Sequence, residues 1–159
     1  VGSEMCIRDR CWIDSNQTNL VKEIPKMLNE LKENDISLMS RYVEGGKDLR
    51  SSQRVLSSIL INFLCRLILD KDIKDYTSGI FAMKREVLIE VTPIAYGHGE
   101  YFIEFLYSAK KKGLKIKEIP FIQPADGEGL SKTASSILRF LKLGLFYVTR
   151  ILISKFKRR

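Results

Sequence analysis

The sequence contains few of the residues that build disulfide frameworks, metal clusters or membrane spans. Its 159 residues include three cysteines, four prolines, one histidine and one tryptophan. An odd, scattered set of cysteines without metal-type spacing fits a reducing compartment better than a disulfide framework. No apolar run approaches the roughly 18 residues of a membrane-spanning helix. Four charged residues interrupt any apolar core of a signal peptide at the amino terminus: Glu4, Arg8, Asp9 and Arg10.

Acidic residues are also in deficit. The chain has 27 basic and 19 acidic residues and a formal net charge of +8, which predicts an anionic partner such as nucleic acid, acidic lipid or a phosphorylated small molecule. Nucleic acid is disfavoured, because "KKKGLKIK" and "SKFKRR" are short and lack interleaved aromatic residues. The hydrophobic content of 45% and charged content of 29% are typical of one globular domain.

Strand and helix patterns alternate along the chain, which predicts an α/β fold with a mostly parallel sheet. Residues 1–10 show neither period and are set aside as a stray or non-native end, and residues 41–52 are predicted as a loop. The predicted strands are "CWID", "ISLMS", "GIFAMK" and "LKIKEIPFI". Helices are predicted from near Pro25, over 53–69, in "REVLIEV", in "GEYFIEFLYSAKKKG" with Gly113 as its C-cap, and from about Ala134.

Polar residues follow the carboxyl ends of the predicted strands, where α/β proteins bind ligands. Asp14, Arg41 and the 124–132 loop all occupy such positions. Asp14 is either a ligand for a hard cation or an ordinary turn or N-cap residue. Asp75 precedes its strand, so it joins the others only if that strand is antiparallel or its connecting loop folds back.

Two further segments are candidates for phosphate binding. Arg54 and Ser58 are four residues apart on one helix and therefore share a face, which is either the wet side of the helix or, with Arg41, a grip for phosphate oxygens. The loop "GEGLSKT" ends where a helix begins. Ser131 and Thr133 are either ordinary N-cap candidates or, with Lys132 and the backbone N–H groups at the helix start, part of an anion site.

The last helix admits two interpretations. Its wide apolar face and narrow polar stripe fit a helix lying in a membrane interface and attracted to acidic head groups. They also fit a core helix with a charged ridge. The stripe consists of Ser135, Arg139, Lys142, Arg150, Ser154 and Lys157.

Six stretches, in this order and spacing, resemble family 2 glycosyltransferases of the dolichol-phosphate (polyprenyl-phosphate) mannosyltransferase type. They are "WIDSNQTNLVKEIPKML", "SRYVEGG", "RVLSSILIN", "KDYTSGIFAMKREVL", "EYFIEFLYSAKKKGLKIKEIPF" and "GEGLSK". The resemblance extends over essentially residues 11 to 135, and the ordered series is far more specific than any single motif.

The resemblance implies a GT-A fold, which is a Rossmann-like α/β fold whose mixed, mostly parallel sheet is flanked by helices. Residues 11–133 would be the carboxy-terminal part of the catalytic domain, and residues 134–159 an amphipathic helix at the membrane interface. The implied reaction is inverting, metal-assisted transfer of a hexosyl group to polyprenyl or dolichyl phosphate at the cytoplasmic face of a membrane. The donor is a nucleotide diphosphate sugar, with GDP-mannose favoured. Alternatives are glucosyl or other hexosyl transfer to bactoprenyl phosphate, or a non-catalytic peripheral membrane protein.

The resemblance also implies roles for individual residues. Asp14 and Asn16 would hold Mg²⁺ or Mn²⁺, and Asp14 and Asp75 would be the catalytic acids. Asp75 would either orient the sugar or position a cationic partner. The donor would contact Asp14, Ser15, Asn16, Arg41 and Lys132. The acceptor phosphate would contact Arg54, Ser58 and Ser131.

Three departures from the family pattern modify these expectations. Asn16 stands where the family has the second acid of its Asp-x-Asp motif, which predicts weaker metal binding. Asp126 stands where the family usually carries an arginine near the donor diphosphate. The amino-terminal half that binds the nucleotide base has no counterpart in the sequence, so we expect this chain alone to be inactive.

Overall fold

A computed structural model of the chain describes residues 9–13, 18–91, 100–125 and 137–156. These residues form six strands: β1 (Asp9–Trp12), β2 (Ile36–Ser40), β3 (Lys47–Asp48), β4 (Phe81–Lys84), β5 (Ile116–Pro120) and β6 (Ile122–Gln123). A 3₁₀ helix covers Thr18–Glu23. The α-helices are α1 (Ile24–Glu30), α2 (Ser52–Ile68), α3 (Arg85–Glu90), α4 (Tyr101–Lys111) and α5 (Ile137–Phe156).

Four of these strands form a mixed sheet in the order β1-β4-β2-β5. Strand β5 runs parallel to β2, whereas β4 runs antiparallel to both β1 and β2. Three strands therefore point in one direction and β4 alone opposes them. The expectation of a mixed sheet with flanking helices is confirmed, with one parallel and two antiparallel strand pairs in this sheet.

The sheet separates two apolar layers, as the alternation of side chains along a strand requires. Ile36, Leu38 and Phe81 face a cluster built with α2, α4 and α5. Met39 and Ala82 face the second cluster, which contains α1. All five residues of β2 are buried, as is usual for a central strand covered on both sides.

Several local predictions hold in the structure. Strand β2 has the predicted bounds, and Pro25 lies in the first turn of α1. Helix α4 ends in a Schellman motif, in which Gly113 N–H donates to the Lys110 carbonyl and Leu114 N–H donates to the Ala109 carbonyl. Sequence patterns therefore located these element ends well.

Two strands differ from the sequence prediction. Strand β1 begins at Asp9, so Asp9 and Arg10, which were set aside with the amino-terminal end, pair with Lys84 and Met83 of β4. Strand β3 lies inside the predicted loop 41–52 and pairs in parallel with β6. A two-residue strand has no visible period, so its partner defines it.

Helices α2 and α5 present much of their apolar surface to solvent. The inward residues of α2 include Ser58, Asn62 and Cys65, and those of α5 include Arg150 and Ser154. The exposed apolar residues of α2 are Leu56, Ile59, Leu60, Phe63 and Leu67, and those of α5 are Leu145, Phe146, Leu152, Ile153 and Phe156. Within the described residues, no helix is long and apolar enough to cross a membrane.

Candidate active site

The direction of β4 brings Asp75 to the carboxyl end of β2. Because β4 is antiparallel to β2, the segment before β4 lies where β2 ends. Asp75 therefore reaches Arg41, the residue that directly follows β2. The sequence analysis predicted that Asp75 would lie near the other candidate residues if its strand were antiparallel, and β4 is antiparallel to β2.

Arg41 and Asp75 form a buried, two-pronged ion pair. Nε of Arg41 donates to Oδ2 of Asp75 at 2.8 Å, and Nη2 donates to Oδ1 at 2.7 Å. The backbone N–H of Arg41 adds a bond to Oδ2 at 3.0 Å. Burial opposes the charge of Arg41, but the Asp75 carboxylate outweighs it and raises the pKa of Arg41. Asp75 is 0% exposed, so its carboxylate has no surface for a ligand.

The ion pair continues through Asp48 to Arg50. Nη1 of Arg41 donates to Oδ2 of Asp48 at 3.3 Å, while Nε and Nη2 of Arg50 donate to the same carboxylate at 2.9 and 2.6 Å. Burial would raise the pKa of Asp48, but the Arg50 guanidinium lowers it overall. Two acids and two arginines thus alternate, and each carboxylate is neutralised.

The turn at Gly45 and Gly46 allows Asp48 to reach Arg41. A Cβ at Gly46 would lie 2.6 Å from the Ser40 carbonyl oxygen and 2.8 Å from that of Arg41. No real side chain is tolerated at such distances, and both obstructing atoms are backbone. The Gly45-Gly46 pair that the sequence predicts as a loop breaker therefore packs against the backbone of Ser40 and Arg41, where β2 ends.

Thr77 is the centre of a second set of contacts. Its Oγ1 lies 2.7 Å from Nη2 of Arg41, 2.9 Å from Nδ2 of Asn62 and 2.8 Å from Oγ of Ser58. It also lies 3.2 Å from Oδ1 of Asp75. Thr77 therefore connects the ion pair to helix α2.

Side chains from distant elements fix the backbone of the segment that contains Asp75. Glu118 of β5 accepts hydrogen bonds from the backbone N–H groups of Lys74 and Asp75. Asn62 of α2 accepts one from Tyr76 N–H at 2.6 Å. The acid, phenol and hydroxyls of "DYTSG" are thus held as one rigid unit, and Gly79, at φ +72°, turns the chain into β4.

Arg54 and Ser58 lie on the side of α2 that borders this unit. Ser58 is buried at 9% exposure and contacts Thr77, whereas Arg54 is half-buried one turn earlier. The structure thus brings Ser58 together with Arg41 and Asp75. Of the two interpretations of the shared face, the wet side is wrong for Ser58, because the apolar residues of α2 are the exposed ones.

Tyr42 is a neighbour that sequence reasoning missed. Its ring lies beneath the Arg41 guanidinium, 5.2 Å from ring centroid to Cζ. Its hydroxyl is buried without a hydrogen-bond partner among the described residues. Burial raises the pKa of Tyr42, and the interaction with the Ser58 hydroxyl partly offsets that rise.

Helix α5 also packs beside the site. Nη1 of Arg150 donates to Oε2 of Glu104 in α4 at 2.8 Å, and both side chains are buried. Burial and, secondarily, the Glu100 carboxylate raise the pKa of Tyr147 to about 12. Arg150 is therefore not part of a solvent-facing basic stripe, and the same holds for the buried Ser154. That part of the amphipathic interpretation was wrong, because a buried acid on α4 draws Arg150 inward.

The remaining predicted site residues lie outside the described part of the chain. They are Asp14, Ser15, Asn16, Ser131 and Lys132, together with Asp126. Among the described residues, no group of three or more histidine, cysteine, aspartate or glutamate side chains could hold a metal ion. Asp75 and Asp48 are instead bound by arginines.

Other members of the site carried weak signals in the sequence. Asn62 lies one turn beyond Ser58, and its spacing from Ser58 and Cys65 was visible as a polar row on an apolar helix. Asp48 and Arg50 occur in a predicted loop, where charged residues are ordinary. Only the folded chain shows that they reach Arg41.

The chain resembles two curated proteins. It is 33% identical to dolichol-phosphate mannosyltransferase of Pyrococcus furiosus over 137 aligned residues. The alignment covers 82% of this chain and 38% of that protein. It is 28% identical to polyprenol monophosphomannose synthase of Mycolicibacterium smegmatis over 131 aligned residues. This alignment covers 80% of this chain and 49% of that protein. The match thus spans less than half the length of each relative. No protein-family model matches the chain.

The fold is similar to that of a solved glycosyltransferase. Glucosyl-3-phosphoglycerate synthase of Mycobacterium tuberculosis, crystallised with Mn²⁺, UDP and glucosyl-3-phosphoglycerate, gives a TM-score of 0.55 over 86% of this chain and 45% of that one. The two sequences are 17% identical, so the likeness concerns the fold alone.

Proposed function

The chain belongs to the dolichol-phosphate mannosyltransferase family and has the GT-A glycosyltransferase fold, and we propose that it serves hexosyl transfer to a polyprenyl phosphate. Mannose from GDP-mannose is the favoured sugar, transferred with inversion to a dolichyl or related phosphate. The observation that carries the proposal is the convergence of Arg41, Ser58 and Asp75 around Thr77. These residues come from three separate stretches that match the family.

The acceptor needs little activation in this reaction. The second pKa of a phosphate monoester is about 6, so the acceptor is already anionic and nucleophilic near neutral pH. Catalysis then depends on positioning the acceptor and neutralising the departing nucleoside diphosphate. We assign the acceptor phosphate to Arg54, Ser58 and Ser131, through charge-assisted hydrogen bonds.

Arg41 has a restricted role in this proposal. Of its five N–H donors, Nε donates to Asp75, Nη2 to Asp75 and Thr77, and Nη1 to Asp48. One N–H therefore remains for a phosphate oxygen. Arg41 therefore offers the donor diphosphate one N–H, because Asp75 and Asp48 already balance its charge, and Asp75 is a positioning residue that holds it.

The donor side of the proposal rests on residues outside the described ranges. Asp14 and Asn16 offer a carboxylate and an amide oxygen, which are the donor types that Mg²⁺ and Mn²⁺ accept. A bound divalent cation would supply charge neutralisation at the diphosphate. Lys132 and Ser15 would add contacts to the same group.

The exposed apolar residues of α2 and α5 support association with a membrane. Helices α2 and α5 contact each other and together expose ten large apolar side chains, named above, within the described residues. Soluble monomers rarely expose so much apolar surface on neighbouring elements. A lipid acceptor requires the site to lie near a bilayer, and Ser58 lies on the inner side of the same α2. We therefore propose that α2 and α5 dock peripherally in the membrane interface.

A transfer assay tests the reaction. The complete reading frame, incubated with radiolabelled GDP-mannose and dolichyl phosphate, should form a mannosyl lipid. Arg54→Ala should raise the KM for the lipid phosphate far more than that for the nucleotide sugar, by about ten- to a hundredfold if a charged hydrogen bond is lost. The exposed Arg85 on α3, outside the two docking helices, offers a matched control, Arg85→Ala. Equal effects of Arg54→Ala on both KM values would remove Arg54 from the acceptor site.

A further inference from the structure

Glu118 binds two neighbouring backbone N–H groups with one carboxylate. Its Oε2 accepts from Lys74 N–H at 2.8 Å, and its Oε1 accepts from Asp75 N–H at 3.0 Å. Consecutive N–H groups along a strand point to opposite sides, so two that converge on one carboxylate require a bent chain. The segment 74–77 lies outside any helix or strand and provides this bend. It therefore forms a small anion-binding concavity, which Glu118 fills.

Glu118 occupies an unusual place in its strand for a charged residue. Side chains alternate along β5, so Glu118 shares a face with Ile116, which packs against the apolar cluster built with α2 and α4. Glu118 is half-buried on this face. A carboxylate there costs free energy unless hydrogen bonds satisfy it. The N–H groups of Lys74 and Asp75 supply these bonds, so β5 and the Asp75 segment stabilise each other.

The contact links the position of β5 to that of Arg41. Glu118 binds the backbone N–H of Asp75, while the Asp75 carboxylate binds the backbone N–H and the guanidinium of Arg41. In this series Glu118 acts on Arg41 through Asp75. Asn62 of α2 binds the next N–H of the segment, that of Tyr76. The segment is therefore held between β5 and α2, and each anchor fixes a different part of it.

We propose that Glu118 is a positioning residue of the active site, which fixes the Asp75 backbone and through it the direction of the Arg41 guanidinium. In the proposed function Arg41 offers one N–H to the donor diphosphate, so a displaced Asp75 would turn that N–H away from the departing group. Loss of Glu118 should then lower turnover more than substrate binding. This effect on catalysis rests on the proposed function, whereas the link between Glu118 and Arg41 is independent of it.

Amide hydrogen exchange of the whole chain, followed residue by residue by NMR, tests the link. Glu118→Gln keeps the size of the side chain but replaces one acceptor oxygen with an N–H donor. Exchange at the Lys74 and Asp75 amides should therefore rise about tenfold or more. The decisive position is the Arg41 amide, which donates to Asp75 and not to Glu118. Its exchange should rise as well, because the Asp75 carboxylate shifts with its backbone.

Asp35→Asn is the matched control. Asp35 is also a half-buried carboxylate that binds a backbone N–H, that of Lys115 at 2.9 Å. It precedes β2 and therefore lies at the end of the sheet opposite Arg41. The control should raise exchange at Lys115 and leave the Arg41 amide as protected as in wild type. If Glu118→Gln is too unstable to measure, Glu118→Asp, which keeps the charge on a shorter side chain, gives the same comparison.

Transfer kinetics of the complete reading frame test the catalytic consequence. Glu118→Gln should lower kcat about tenfold, and Glu118→Ala, which removes both hydrogen bonds, should lower it further. The KM for dolichyl phosphate should change little, because the proposed acceptor contacts do not include Glu118. Asp35→Asn should keep the wild-type kcat. A purely structural role of Glu118 would reduce the amount of folded enzyme and leave the kcat of the folded fraction unchanged.

The outcomes distinguish this inference from the proposed function. If exchange at the Arg41 amide is the same in Glu118→Gln and wild type, or rises equally in Asp35→Asn, the link between Glu118 and Arg41 is wrong. If that exchange rises as expected and wild type transfers no mannose, the link stands and the proposed function falls. If wild type is active and Glu118→Gln keeps its kcat, the positioning role is overturned and the proposed function stands.

Discussion

At the scale of single residues, the site is dominated by buried charges that neutralise each other. A continuous series of ion pairs links Asp75, Arg41, Asp48 and Arg50. The first three of these side chains are nearly inaccessible to solvent. Such pairs contribute little net stability, yet losing one partner is costly because the other charge remains buried. We therefore infer that these ion pairs hold Arg41 in one orientation.

Loss of the Asp75 charge should destabilise the fold strongly. Asp75→Asn removes the closer of the two carboxylates of Arg41 and leaves only the 3.3 Å contact with Asp48, at a cost of about 3 kcal/mol in the free energy of unfolding. Asp72→Asn is a matched control, because Asp72 pairs with Lys110 at the exposed surface, where solvent screens the pair and its loss should change stability little. Urea unfolding of the two variants measures both values. Similar losses would show that Arg41 does not depend on Asp75.

At the scale of whole elements, α2 and α5 carry apolar residues on both their inner and their outer sides. Each also turns some polar residues inward to meet polar partners, Thr77 for Ser58 and Glu104 for Arg150, and exposes five large apolar side chains. Deleting α5 would remove Arg150 from the buried Glu104, so truncation would unsettle the core as well as any membrane contact. Substitution of the outward residues is the cleaner experiment.

Polar substitution of the outward faces should abolish vesicle binding without unfolding the chain. Phe63→Gln with Leu67→Gln on α2, or Phe146→Gln with Phe156→Gln on α5, removes side chains that are at least 50% exposed. Each lost apolar contact should weaken partitioning by about tenfold or more. Ile89→Gln on α3 is the control, being 77% exposed outside these two helices. Sedimentation of all variants at wild-type levels, with unchanged circular dichroism, would refute the docking surface.

At the scale of the whole molecule, the net charge of +8 acts together with these apolar faces. A positively charged protein is attracted to anionic surfaces over about a Debye length, which is roughly 10 Å at 0.1 M salt and 3 Å at 1 M. Charge therefore adds a salt-sensitive contribution to membrane affinity, while apolar contact adds a contribution that salt does not screen.

Vesicle composition and salt should separate the two contributions. Binding to vesicles containing phosphatidylserine should fall steeply as salt is raised from 0.05 to about 0.5 M, since each cation near such a surface contributes about 1 kcal/mol. Binding to pure phosphatidylcholine should be weaker and nearly independent of salt. Equal binding to both lipids at low salt would exclude an electrostatic contribution.

The sequence by itself determined the elements and part of the site. Periods of two and 3.6 residues located β2 and the helices, because burial on one face is imposed locally by side-chain direction. A spacing of four residues placed Arg54 and Ser58 on one helical face for the same reason. The ordered motifs predicted the fold that the solved glycosyltransferase shares.

Only the tertiary structure decided which faces turn inward and which residues meet. Amphipathic spacing shows which residues of α2 and α5 share a face, but Ser58 and Arg150 are buried because Thr77 and Glu104 form hydrogen bonds with them in the folded chain. The antiparallel direction of β4, which no local pattern encodes, carries Asp75 to Arg41 across 34 positions of sequence. Contacts of that range depend on strand pairing and packing, so they form only when the whole sheet is assembled.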